Sequence, residues 1–103
     1  MSALLRRALA NGAFAAIAQK GEREAGAVVI CVRQNAAHLC LYEAVTNMDG
    51  MRVWHESAPM DEPQMQARLN RLKSRDPDLW IVEIEDKDGR HFITEEVVRA
   101  ITL

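Results

Sequence analysis

Residues 76–93 constrain the fold of this chain more than any other stretch. Asp76-Pro77-Asp78 stops whatever precedes it, and Leu79-Trp80-Ile81-Val82-Glu83-Ile84-Glu85 follows. Asp86-Lys87-Asp88-Gly89 then reads as a tight turn, and residues 90–93 as a returning strand. Alternation in the first strand puts Trp80, Val82 and Ile84 on one face and Ile81, Glu83 and Glu85 on the other. A strand with one apolar face needs a covering layer. With 103 residues the chain has room for one such core.

The remaining elements follow from local signals. Ser2 is a candidate N-cap, and Leu4, Leu5, Ala8 and Leu9 form a helical stripe that Gly12 ends as a C′ residue. Residues 13–19 are Ala-rich but lie between that break and the loop 21–26, which favours a short strand in a hairpin. Residues 27–33, 38–46 and 51–55 read as strands, with a turn at Asn47-Met48-Asp49-Gly50. Asp61, Pro63 and Gln64 make a helix start with a capping box. Met65, Leu69 and Leu72 are its buried stripe. Thr94 is expected to cap a last short helix carrying Val97, Val98 and Ile101. The expectation is one α+β domain over residues 1–103. It has a mostly antiparallel sheet of four to six strands and helices packed on one face, with Trp80, Val82 and Ile84 under Met65, Leu69 and Leu72.

Composition excludes several classes. The net charge of −2 and pI near 5.9 argue against a dedicated nucleic-acid binder. Two cysteines are too few for a disulfide scaffold. No apolar run approaches the ~20 residues that span a bilayer. In the N-terminal stretch Arg6 and Arg7 follow Leu4 and Leu5, and Asn11-Gly12 interrupts the alanines. It reads as mature structure of a cytoplasmic protein rather than as a signal peptide.

Candidate chemistry is sparse. Glu83 and Glu85, roughly 7 Å apart along one strand face, could hold a hard cation or act as an acid/base pair. The plainer reading is a solvated face paired with Arg90 or Lys87. Asp78 and Glu85-Asp86-Lys87 formally match a nuclease pattern but lie at opposite ends of one strand. Asp86-Lys87-Asp88-Gly89 lacks the distal ligands of a calcium loop. If the 34–37 turn centres between Asn35 and Ala36, Cys31 faces Cys40. Both would then share a face with His38 and Tyr42, and His55 or His91 could complete a zinc site; two small reduced hydrophobes are the simpler account. Arg68, Arg71 and Arg75 form a helix stripe that could contact phosphates, with few aromatics to stack on bases. Trp54, His55, Met48 and Met51 could form a contact patch suited to oligomerisation.

Three segments in order carry a resemblance. They are Ser2-Ala3-Leu4-Leu5-Arg6-Arg7-Ala8 with Gly12-Ala13-Phe14, then Glu24-Ala25-Gly26-Ala27-Val28-Val29-Ile30, then Asp76-Pro77-Asp78-Leu79-Trp80 through Asp86. Together they resemble an uncharacterised alphaproteobacterial family of short proteins, classed as a domain of unknown function. The resemblance implies a bacterial cytoplasmic protein and supplies no activity, cofactor or site residue.

The functional expectation is a non-enzymatic binding or assembly module whose partner is another protein or a second copy, with no cofactor and no membrane. The alternatives are a small metal-dependent enzyme using Glu83 and Glu85, or a weak nucleic-acid binder using Arg68, Arg71 and Arg75.

Overall fold

The computed structural model describes residues 2–23 and 27–99. Helix α1 (Ser2–Ala10) leads into β1 (Phe14–Gln19), followed by β2 (Val28–Asn35), β3 (His38–Thr46) and β4 (Arg52–Glu56). Helix α2 (Glu62–Arg75), β5 (Trp80–Glu85) and β6 (Val97–Arg99) complete the chain. The six strands form one mixed sheet in the order β1-β5-β2-β3-β4-β6. Three pairings are antiparallel, while β2–β5 and β4–β6 are parallel.

Local chemistry explains the helix limits. The Asp61 carboxylate accepts the Gln64 amide at 2.9 Å, and the Gln64 side chain accepts the Asp61 amide at 2.9 Å. This reciprocal cap satisfies two of the otherwise orphaned N–H groups of α2. At the end of α1, Gly12 adopts φ +86, and the Ala13 amide returns to the Ala8 carbonyl at 3.0 Å. An L side chain in that conformation would be strained.

The helices lie on opposite faces of the sheet, not on one. Leu4 and Ala8 of α1 pack with Ile30, Val32, Tyr42, Val82 and Ile84. Met65 and Leu69 of α2 pack with Val29, Cys31, Leu39, Leu41 and Ile81. So Val82 and Ile84 lie under α1, and it is Ile81 that meets α2. The cause is strand order. β2 and β5 are central, so both their faces need cover. The unbroken run Val28-Val29-Ile30-Cys31-Val32 is the sequence trace of that demand.

Strand β1 takes the strand form expected for residues 13–19, but β5 inserts between it and β2. That insertion also overturns the returning strand at 90–93. β5 already has a neighbour on each side, so no edge remains for a hairpin partner. The Arg90 amide instead goes to the Asp86 carboxylate at 2.9 Å, and Phe92 takes φ +61, turning the chain across the α1 face. The expected last helix is also overturned. Val97–Arg99 is extended and pairs parallel with β4, where β-branched Val97 and Val98 suit a strand better than a helix. Ile101 lies outside the described residues, as do residues 24–26 of the loop.

Candidate functional site

The register of the outer strands builds one polar row on the α1 face. Tyr42 of β3 pairs with Ile30 of β2 on one side and Glu56 of β4 on the other, and Glu56 pairs with Arg99 of β6. The Tyr42 hydroxyl donates to Glu56 Oε1 at 2.7 Å, and Arg99 Nε donates to Glu56 Oε2 at 3.1 Å. Each oxygen of one carboxylate is thus held by a different strand. The row floors a cleft of about 490 Å³ that α1 does not reach. Cys40 and Val32 occupy the next row. Ser57, Ala58 and Pro59 form one wall, and Asp88 and Gly89 another, with Gln34 and His38 at the end.

Burial controls the titrating groups here. It raises the Tyr42 phenol well above its usual range, and the bonded Glu56 carboxylate adds to the shift. Burial, then the charge of Glu56, also raises the Cys40 thiol. His91 meets the Tyr42 ring edge-on at 5.2 Å between centroids, and burial lowers its pKa. Phenol and thiol therefore stay protonated near pH 7, and neither is poised as a nucleophile, while the neutral His91 imidazole has its Nδ1 engaged by the Ile93 amide at 2.9 Å. A second cavity of about 340 Å³ lies under α1. Leu4, Val28, Ile30, Trp54 and Ile93 give it an apolar lining, and Arg7, Arg52 and Glu95 its charged groups.

The cysteines do not share a face. The turn is tighter than expected, with Asn35 opposite His38, and the register shifts between Arg33 and Asn35. Cys31 then pairs with Leu41, and Cys40 with Val32. A slip of one residue moves a side chain to the other face of a sheet. Cys31 therefore lies under α2, where burial and then Glu83 push its thiol up to about 12, while Cys40 opens into the cleft. Among the described residues no group of three or more His, Cys, Asp or Glu side chains could hold a metal ion.

The other candidates are dispersed. Glu85 sits 3.7 Å from Arg33 Nε, and Arg33 also binds Glu62 of α2 through both its terminal nitrogens. Glu83 is half-buried beside Cys31 on that same face. Arg90 pairs with Asp86 rather than with either glutamate, at 2.8 and 3.0 Å, and also donates to the Asn11 carbonyl at 3.0 Å. Arg68 is tied to Glu43 at 3.1 Å, leaving Arg71 and Arg75 as exposed positions of the stripe. Trp54 is buried, its indole N–H donating to Glu95 at 2.9 Å, so the expected contact patch reduces to Met48 and Met51 at the β3–β4 tip.

Sequence reasoning put His38, Cys40 and Tyr42 on one face but missed Glu56 and Arg99. No local pattern links those two, because the row joins Tyr42 to Arg99, 57 positions apart, through two strand pairings.

Residues 1–94 match the model of a family described as "Protein of unknown function (DUF1491)". The crystal structure of a DUF1491 family protein from Caulobacter crescentus CB15 is similar, at 44% identity and a TM-score of 0.86 over 94% of this chain and 92% of that one. An NMR structure of a DUF1491 family protein from the same organism gives 44% identity and a TM-score of 0.82, over 94% and 90% of the two chains. The solution structure of protein Atu0922 from A. tumefaciens gives 31% identity and 0.77, over 96% and 92%. No curated protein matches the sequence. With this fold, and with the family pattern spanning nearly its whole length, the chain belongs to the DUF1491 family of bacterial proteins of unknown function.

Proposed function

We propose that this protein is a non-enzymatic binding module whose ligand sits in the cleft over β3, β4 and β6. The observation that carries the reading is the Tyr42–Glu56–Arg99 row, a preorganised polar floor inside a cavity of ligand size. Glu56 and Asp88 bring negative charge to the cleft, and the terminal nitrogens of Arg99 bring donors. A small zwitterion, with an ammonium and a carboxylate group, fits that arrangement. The protonated thiol and phenol support binding rather than covalent or acid–base chemistry. A cytoplasmic setting fits the two free cysteines, which lie on opposite faces. Among the described residues no helix is long and apolar enough to cross a membrane.

The alternatives draw less support, because part of each residue set is already engaged. Glu85 is engaged by Arg33, and Arg68 by Glu43. The test is an NMR titration of ¹⁵N-labelled protein with free amino acids and dipeptides of differing charge. Saturable shifts confined to the amides of Cys40, Tyr42, Glu56 and Arg99, weakened in Glu56→Gln, are expected. Shifts scattered over the surface, or none at millimolar ligand, would refute the reading.

A further inference from the structure

The two edges of the sheet are unlike each other. β6 is described over Val97–Arg99 and carries the charge of Arg99, a feature of the kind that discourages pairing at an edge. β1 has six residues, Phe-Ala-Ala-Ile-Ala-Gln, with no charge and no proline. Among the described residues it pairs with β5 alone, so its other side presents backbone N–H and C=O groups unmatched by any of them. Phe14 is 57% exposed and Ile17 43%, and Leu9, in the last turn of the preceding helix, is 54% exposed. None of the usual guards against strand addition is present over residues 14–17. The register against β5 shifts only beyond Ile17.

We infer that this edge pairs with β1 of a second copy, antiparallel about a two-fold axis at Ala15, so that two sheets become one. The inference is independent of the cleft. An antiparallel edge is self-complementary under such an axis, and the side chains fit it. Phe14 and Ala16 lie on one face, opposite Glu85 and Glu83. An axis at Ala15 sets each Phe14 across from Ala16 of the other copy, large against small, and each Ile17 across from Ala13. Charge permits it as well. The nearest acids, Glu83 and Glu85, are one strand inward. Those of the two copies would stand three strand spacings apart, about 14 Å, beyond the screening length of ~8 Å. A charged peptide would find no counter-charge on this strand, whereas an identical uncharged strand needs none.

Sedimentation of the wild type, Phe14→Lys and Met48→Lys from micromolar to millimolar concentration tests this. A wild-type dimer whose dissociation constant rises by about tenfold or more in Phe14→Lys, and is unmoved by Met48→Lys, is expected. A wild type that stays monomeric at millimolar concentration would overturn the inference. So would a dimer indifferent to Phe14→Lys, or one lost in Met48→Lys. Should Phe14→Lys not fold, amide hydrogen exchange on the wild type decides. Protection of residues 14–17 must rise with protein concentration, and unchanged exchange there rejects the β1 edge.

Discussion

Asp86 is the one buried charged side chain among the described residues, and acid should find it first. Its carboxylate accepts the Arg90 backbone amide at 2.9 Å and the guanidinium at 2.8 and 3.0 Å. These bonds, the guanidinium's foremost, lower its pKa from 3.8 to about 2. A carboxylate whose folded pKa is depressed contributes stability above its unfolded pKa and loses it as pH falls toward the folded value. The window therefore runs from pH ~5 down to about 2. The shift of nearly two units caps the contribution at ~2 kcal/mol. The Asp86 side chain is only 2% exposed but its partner's is 42%, so water screens the pair and about 1 kcal/mol is the working figure. Urea unfolding of the wild type and Asp86→Asn, at neutral pH and at steps down to pH 2, isolates the effect because other carboxylates cancel in the difference. Asp86→Asn should be less stable by ~1 kcal/mol at neutral pH, with the gap closing through that window. A gap that stays constant to pH 2 would refute the assignment, because it would mean that the lost stability is packing and not charge.

Three further outcomes follow from the packing. Gly21→Ala should cost about 2 kcal/mol in urea unfolding, since a Cβ there would lie 2.8 Å from the Asp78 carbonyl carbon and 2.7 Å from the Trp80 ring; a neutral result would mean that the 20–22 segment shifts freely. Leu69→Ala, at a site 4% exposed between α2 and the sheet, should cost about 3 kcal/mol in the same assay. A disulfide reagent should modify one thiol per native chain, slowly and faster with rising pH. Cys40→Ser should abolish that reaction, because Cys31 is 2% exposed with its thiol pushed up to about 12.

Most elements could be read from the chain because their signals are local. The Asp61–Gln64 capping box, the Gly12 stop and the β-rich runs at 28–32 and 80–84 act over a few residues, and each appears where expected. The candidate site was only half legible. Alternation within one strand joined His38, Cys40 and Tyr42. Linking Tyr42 to Glu56 and Arg99 requires the pairing of three strands, which no spacing encodes. Cys31 shows how narrow the margin is. One residue in the 34–37 turn separates a shared thiol face from two thiols on opposite sides of the sheet.

The opening segment marks the boundary between the two kinds of information. Its sequence alone settled that residues 80–85 are a strand with an apolar face at Val82 and Ile84, because side-chain period is a local property of an extended backbone. It could not tell which helix covers that face, nor that Arg90 turns away to clasp Asp86. Those depend on β5 lying between β1 and β2. Neighbours in a sheet come from distant parts of the chain, and the competition among them is resolved by the burial of the whole core.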